Sequence, residues 1–181
     1  MNSIIWEGIL YDSTESLRLS TTGQRIVVDS SIIGSFESDR YVVKYNAQIG
    51  VDWKVNNFHI VFEVNGAINE IDGARNNDNW IINGRIDARF EDFCFIDISL
   101  SPFTNTLPVN NLNLPIGQGR NIGVIYVDIL KGALRPVQQR YSRIADKTFR
   151  YESIPKDFQA DIEVDHQGLV LFYPGLFKRV A

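Results

Sequence analysis

Asp97 is the residue whose position in this chain is best suited to chemistry or to ligand binding. By the two-residue repeat of a strand its side chain shares a face with Phe93 and Phe95. The carboxylate therefore lies either on a solvent face beside two aromatic rings or inside a cavity. A buried carboxylate needs donors, and an arginine elsewhere in the chain, such as Arg140, is one candidate. Such a pair would act as a structural link or as part of a ligand contact, and the sequence leaves both readings open.

The usual patterns of catalytic and metal sites are missing from the chain. Ser99 and Ser101 precede a turn, but no Gly-x-Ser-x-Gly elbow surrounds them. His59, His166 and Cys94 share no metal-ligand spacing, and no lysine-bearing phosphate loop occurs, so we expect no metal and no cofactor. Acid–base catalysis by converging carboxylates stays open, and its candidates are Glu63, Asp97, Glu152 and Glu163.

Aromatic residues make up 12% of the chain, which suits a wide core or a cavity that stacks sugars and lipid chains. Tyr141, Tyr151 and Tyr173 lie near Arg140 or in the last strands. Their hydroxyls need polar partners if they are buried. Core filling and ligand stacking are both compatible with these positions.

The stretch 94–112 must position most of these residues. It begins as a strand with Cys94 to Leu100 alternating between two faces, and Pro102 ends the strand because it brings no N–H to a ladder. A single short helix is predicted within 103–113, with Asn105 as its N-cap and Pro108 at the third helical position. A helix with so little polarity must be wrapped by other elements.

The remainder of the chain reads as short strands separated by turn residues, without a helix long enough for a parallel crossover. The predicted class is all-β: a large antiparallel sheet rolled around the single helix, in one domain over residues 1–181. The segment 80–90 is ambiguous. Asn83-Gly84 predicts a tight hairpin, although one continuous strand also fits the alternation, and we favour the hairpin.

Two segments, 122–130 and 169–172, are apolar on both faces, whereas a half-solvated antiparallel strand alternates. They need cover on both sides. The rolled sheet and its helix would supply the inner cover, and a partner subunit would supply the outer one. The pattern therefore predicts a homodimer.

Composition narrows the partners further. The net charge of −4 and the absence of a dense basic cluster argue against nucleic acid and anionic membrane surfaces. No apolar run approaches the roughly 20 residues needed to span a bilayer, so stable membrane insertion is not expected. Cys94 is a lone cysteine and the first residues lack a signal-peptide pattern, which predicts a cytoplasmic location.

Several blocks of the chain resemble a bacterial family known as putative glycolipid-binding proteins. The blocks are Asp97–Leu100, Pro102–Leu112, Gln139–Tyr141, Phe149–Glu152 and Tyr173–Phe177. The resemblance implies a spiral β-roll around one helix, a homodimer and a glycolipid-like ligand, but no catalytic residue. The chain departs from the family pattern where Ser99 replaces an expected aspartate and where Asn110-Asn111 replace expected basic residues.

These observations together predict a non-catalytic binding protein for an amphiphile such as a glycolipid, with a neutral rather than an anionic headgroup. One alternative is an enzyme acting on a small glycosylated or acyl substrate through buried carboxylates. Another is a structural homodimer without a ligand. The predicted site lies between the inner face of the rolled sheet and residues 102–112, and its ligand contacts are Phe95, Asp97, Asn105, Arg140, Tyr141, Tyr151 and Tyr173.

Overall fold

A computed structural model describes residues 2–181, in which the chain forms fifteen β-strands, one α-helix and two 3-10 helices. The strands are β1 Asn2–Gly8, β2 Ser13–Thr22, β3 Arg25–Phe36, β4 Asp39–Gly50, β5 Val55–Val64, β6 Ala67–Asn76, β7 Asn79–Ile82, β8 Arg85–Ile86, β9 Phe95–Ile98, β10 Gly119–Asp128, β11 Ala133–Ala145, β12 Thr148–Ile154, β13 Gln159–Val164, β14 Val170–Tyr173 and β15 Phe177–Arg179. The 3-10 helices are Ala88–Phe90 and Pro102–Asn105, and α1 is Thr106–Leu112.

All fifteen strands belong to one open sheet, and 63% of the chain is strand, which confirms the all-β class. The sheet order is β8-β7-β6-β5-β4-β3-β2-β1-β15-β14-β13-β12-β11-β10-β9. Neighbours pair antiparallel except β9 and β10, which are parallel. Because β1 pairs with both β2 and β15, the first and last strands of the chain lie side by side within the sheet.

Local patterns place the strands where the sequence predicts them. In β4 every second side chain is buried, as expected for a strand with one face toward the core. The hairpin predicted at Asn83-Gly84 is present: both residues have positive φ, 47° and 78°, and Ile81 pairs with Ile86 across the turn. The chain then leaves the sheet through the first 3-10 helix.

The predicted helix lies inside the roll, but Asn105 is not its side-chain cap. The Asn105 backbone is already helical, with φ −67° and ψ −25°, because a 3-10 turn runs directly into α1. The cap of this combined segment is Ser101, whose side chain accepts from the Phe103 N–H at 3.3 Å. Pro108 is the third residue of α1, as predicted.

The innermost strand β10 is buried on both faces within a single chain. Val124 lies on one face and Ile125 and Val127 on the other, and all three are at most 1% exposed. Gly123 lets the Phe93 ring approach so closely that a Cβ there would lie 2.3 Å from it. The outer cover therefore comes from the chain itself, and the argument from burial for a partner subunit is wrong.

The two ends of the sheet overlap, which produces the spiral. The Val55 N–H donates to the Cys94 carbonyl at 3.0 Å, and the Trp80 indole N–H donates to the Phe93 carbonyl at 2.8 Å. These bonds tie the segment entering β9 to β5 and β7. Trp6 makes an equivalent link from β1 to the Val170 carbonyl of β14 at 2.7 Å.

Candidate functional site

A cavity of about 320 Å³ lies between the inner face of the sheet and the start of the second 3-10 helix. Its walls combine aromatic rings with a few polar groups. They are formed by Leu10, Tyr11, Asp97, Ile98, Ser99, Ser101, Asn105, Tyr126, Tyr151, Phe158, Tyr173, Leu176 and Phe177. Ligand pockets usually span ~300–1,000 Å³, so this one suits a small ligand or part of a larger one.

Asp97 is deep in the protein but retains partial exposure, because it faces this cavity. Its Oδ1 accepts from the Thr104 hydroxyl at 3.2 Å, and its Oδ2 accepts from the Gln139 amide at 2.5 Å. Burial raises the pKa of Asp97, and these two donors only partly offset that effect. Both donors are neutral, so the carboxylate has hydrogen bonds without a compensating charge.

Tyrosine side chains surround Asp97 on neighbouring strands. Tyr126 is its register partner on β10, while Tyr151 and Tyr173 come from β12 and β14. Burial raises the pKa of all three hydroxyls, and the negative charge of Asp97 raises each pKa further. Tyr11, in the β1–β2 turn, responds in the same way. Asp97 is thus the electrostatic centre of a ring of tyrosines.

Asn105 joins the helical segment to the sheet at the edge of the cavity. Its amide N–H donates to the Pro102 carbonyl at 3.1 Å, and its Oδ1 accepts from the Tyr141 hydroxyl at 2.8 Å. Asn105 and Tyr141 are both buried. Tyr141 therefore holds a cavity residue in place without lining the cavity itself.

Four of the seven predicted contact residues line the cavity: Asp97, Asn105, Tyr151 and Tyr173. Phe95 is buried in the core opposite Val124 and does not line it. Arg140 is also misplaced by the prediction. It donates to the Asn121 side chain at 2.9 Å and lies 3.9 Å from Glu152, away from Asp97.

Gln139 takes the role that we predicted for Arg140. Residues 139 and 141 share one face of β11, and Arg140 points to the other, because side chains alternate along a strand. The alternation from Tyr141 would have identified Gln139 in the sequence. Charge complementarity with Asp97 favoured Arg140 as the predicted partner. The side chain that reaches Asp97 inside the roll is the neutral amide of Gln139.

The mouth of the cavity is apolar. Leu10 is 49% exposed and Phe158 is 40% exposed, in the turns that precede β2 and β13. Beside the cavity, Arg135 stacks over Tyr126 at 5.0 Å from the ring centroid and donates to Asp128 at 3.2 Å. The positive charge of Arg135 is therefore balanced by Asp128.

A second buried carboxylate, Glu15, lies behind the cavity wall and was not predicted. Its Oε1 accepts from the hydroxyls of Ser30, Tyr45 and Ser101 at 2.7, 2.7 and 2.9 Å. Its Oε2 is buried without a partner. Burial raises the pKa of Glu15 to about 7 against the lowering effect of the three hydroxyls. Glu15 occupies a core position in an otherwise alternating strand, which is the signal that the sequence offered.

The carboxylates left open as an alternative catalytic set do not converge. Glu63 and Glu163 are exposed, and Glu152 lies 2.6 Å from Lys156 in an ion pair. Pairing of β5 with β6 does place His59 2.8 Å from Asp72 and 3.8 Å from Glu70, a grouping that sequence spacing missed. A hydrogen bond between His59 Nδ1 and Asp72 accounts for the shorter of these distances.

The positions that depart from the family pattern serve as structural links. Asn110 donates to the Gln167 carbonyl at 2.9 Å and Asn111 to the Asp52 carbonyl at 2.7 Å, which fixes the end of α1 between two turns. The Ser99 hydroxyl accepts from the Ile129 N–H at 3.2 Å. None of the three contributes a charge to the cavity.

Fold and cavity define a class of protein: a spiral β-roll wound around one short helix, with a tyrosine-lined cavity at its centre. Residues 3–179 match the model of the family described as "Putative glycolipid-binding", so the chain belongs to that family. The fold is similar to the crystal structure of a DUF1089 family protein from Pseudomonas aeruginosa. The two chains are 27% identical, with a TM-score of 0.82 and 92% of each chain covered.

Two further findings bear on function. No curated protein matched the sequence. Across residues 2–181, the structure shows no helix with the length and apolar character required to cross a membrane.

Proposed function

We propose that the protein is a non-catalytic binding protein for an amphiphile such as a glycolipid, and that the headgroup occupies the tyrosine-lined cavity. The observation that carries the proposal is a cavity with a polar floor and an apolar mouth. Asp97 and Asn105 supply the floor, and Leu10 and Phe158 the mouth. The family description supports the same ligand class.

The size of the cavity determines how an amphiphile would be placed. About 320 Å³ corresponds to roughly ten water molecules, enough for a small headgroup but not for a whole lipid. The chain would continue over the mouth, where Ile9 and Leu10 are each 49% exposed. Each methylene removed from water contributes ~0.8 kcal/mol, so about ten of them contribute about 8 kcal/mol before ordering costs, which is the scale of micromolar binding.

The arrangement of carboxylates favours binding over catalysis. A glycosidase-type mechanism needs two carboxyl groups facing one substrate, roughly 5–9.5 Å apart. Asp97 faces the cavity, whereas Glu15 is sealed behind Ser101 and the exposed Glu63 and Glu163 lie elsewhere. Binding is therefore the better-supported function.

Lipid extraction and native mass spectrometry of the purified protein, followed by titration with a fluorescent acyl probe, test the proposal. We expect saturable binding that Leu10→Asp weakens about tenfold, because a charge at the mouth opposes the chain. Ile116→Asp is the matched control, since Ile116 is a 60% exposed aliphatic residue outside the cavity. Absence of both co-purified lipid and saturable binding would contradict the proposal.

We further propose a homodimer, supported by the family resemblance and by an exposed apolar row on the outer sheet face. Ile33 pairs with Val42, and Val42 connects through Glu63 to Ile68. Ile33, Val42 and Ile68 are 65%, 40% and 71% exposed, and exposed apolar side chains that adjoin one another mark candidate interfaces. Light scattering should give twice the 20.6 kDa chain mass, and Ile33→Asp should halve it. A wild-type particle of one chain mass would remove this proposal.

A cytoplasmic location is likewise proposed. The free cysteine Cys94 supports it, because a reducing compartment keeps single thiols reduced. Fractionation of the producing cell, with the protein detected by antibody, is the test. Recovery in the membrane or secreted fraction would contradict it.

A further inference from the structure

We propose that the cavity selects an amphiphile whose headgroup carries an ammonium group, with Asp97 as the counter-charge and the surrounding aromatic rings as a cage. This inference rests on the proposed binding function and names the chemistry of the headgroup. The sequence favours a neutral over an anionic head because of Asn110-Asn111. The structure goes further, since the cavity has a surplus negative charge.

The charge balance at the floor of the cavity favours a cationic ligand. The hydrogen bonds to Asp97 come from Thr104 and Gln139, both neutral. Within the described residues 2–181, no basic side chain forms an ion pair with Asp97. Arg135 is held by Asp128, and Arg140 lies outside. A buried carboxylate without a countercharge is costly, so a cationic ligand group gains what the protein does not supply.

The aromatic side chains in the cavity wall also favour a cationic ligand. Six aromatic residues line the cavity: Tyr11, Tyr126, Tyr151, Phe158, Tyr173 and Phe177. All except Tyr126 form a series of neighbouring rings with centroids 5.9–6.3 Å apart. Ring faces carry partial negative charge, which attracts cations, and several rings around one ammonium are a known recognition arrangement. Arg135 already stacks on Tyr126 in this way.

Tyrosine hydroxyls in the cavity offer hydrogen bonds to a ligand. Over the part of the chain that the structure describes, the hydroxyls of Tyr11, Tyr126 and Tyr173 make no hydrogen bond within the protein. They can accept from a primary ammonium or from sugar hydroxyls. A quaternary ammonium would use the ring faces and the Asp97 charge alone. The shared requirement is a positively charged nitrogen, and an anionic head would instead meet the Asp97 carboxylate.

The test uses amphiphiles that share one dodecyl chain and differ in the headgroup. Each is titrated as a competitor of the fluorescent acyl probe at concentrations below its critical micelle concentration. The heads are trimethylammonium, 2-amino-2-deoxyglucoside, glucoside and phosphate. We expect both ammonium compounds to bind about tenfold more tightly than the glucoside, and the phosphate to compete least. The tighter of the two ammonium compounds identifies the source of the charge as a quaternary or a primary amine.

Variants separate this inference from the proposed function. Asp97→Asn should remove the preference for ammonium over glucoside heads, whereas Glu163→Gln, a carboxylate-to-amide change at an exposed position outside the cavity, should keep the wild-type preference. Tyr11→Leu, in a turn, keeps the Asp97 hydrogen bonds and should also reduce the preference. It serves if Asp97→Asn does not fold.

Equal binding of glucoside and ammonium compounds in the wild type would overturn the ammonium inference and leave the amphiphile-binding function standing. The same holds if both variants keep the wild-type preference. Failure of every dodecyl compound to compete would instead remove the binding function itself.

Discussion

At the residue scale, the carboxylates of Asp97 and Glu15 lie inside the protein in different surroundings. Asp97 faces a cavity and has one donor on each oxygen. Glu15 has three hydroxyl donors on Oε1, and its Oε2 is buried without a partner. A proton on Oε2 would neutralise Glu15, and burial favours that form. Glu15 is therefore a source of pH-dependent stability, separate from ligand binding.

We expect the stability of the protein to fall between about pH 4.5 and 7 through Glu15. The unfolded chain releases this proton near its ordinary pKa of 4.5, and the folded protein holds it until a pKa of about 7. The contribution is therefore fully present below pH 4.5 and lost as pH rises through 7, in total roughly 3 kcal/mol. Urea unfolding across this range should show a smaller loss in Glu15→Gln.

The exposed Glu163→Gln is the control and should keep the wild-type slope. A Glu15→Gln variant with an unchanged pH dependence would show that Glu15 is already ionised in the folded protein.

A second expectation at this scale concerns Tyr141. Tyr141→Phe leaves the buried Oδ1 of Asn105 without its donor, which should lower the free energy of unfolding by about 1–2 kcal/mol. Tyr126→Phe removes a hydroxyl without a protein partner and should change it by less than about 0.5 kcal/mol. Urea unfolding of both variants is the measurement. Equal losses would mean that the Asn105 bond contributes nothing specific.

At the element scale, β9 and β10 and the helical segment 102–112 form the inside of the spiral. Residues 101–109 are all buried, which a short apolar helix achieves only when strands surround it. The close approach of Phe93 to Gly123 sets the spacing between β10 and the segment before β9. A glycine in a strand interior commonly marks such an approach.

We expect Gly123→Ala to destabilise the protein by about 1–3 kcal/mol, because the new Cβ would lie 2.3 Å from the Phe93 ring. The double variant with Phe93→Ala should lose less than the sum of the two single losses, since removal of the ring frees the space. Chemical unfolding of the three variants measures this coupling. Simple additivity would show that the two elements do not pack against each other there.

At the scale of the whole molecule, one sheet runs through the entire described chain, and we propose a single domain. The pairing of β1 with β15 connects the first half of the sheet to the second. Independent units are not expected where one ladder of hydrogen bonds crosses the boundary. Cooperative unfolding is the consequence.

Tryptophan fluorescence and far-ultraviolet circular dichroism should therefore report one coincident unfolding transition. Trp6 and Trp80 are buried in the first half of the sheet, but their indole N–H groups donate to the Val170 and Phe93 carbonyls in the second half of the chain, so fluorescence reports contacts between the two halves. Two separated transitions, or a stable proteolytic fragment ending near residue 100, would contradict the single domain.

Local sequence patterns were enough to predict the strands, most turns and the position of the helix. These features depend on local physics: side chains alternate along a strand, Asn-Gly tolerates positive φ, and proline lacks an N–H. The family blocks and the choice of Asp97, Asn105, Tyr151 and Tyr173 as cavity residues also came from the sequence. Each of these inferences needs only residues near one another in the chain.

Contacts between residues that are far apart in the chain could be identified from the tertiary structure alone. Gln139 rather than Arg140 bonds Asp97, Glu15 reaches Ser101 across the core, and β10 is covered by its own chain. Asn105 binds Tyr141 because a 3-10 turn displaced the start of α1. These contacts join residues 36 to 86 positions apart, and they depend on how tightly the sheet winds. Local alternation gives the face of each side chain, but the winding of the spiral determines what lies opposite that face.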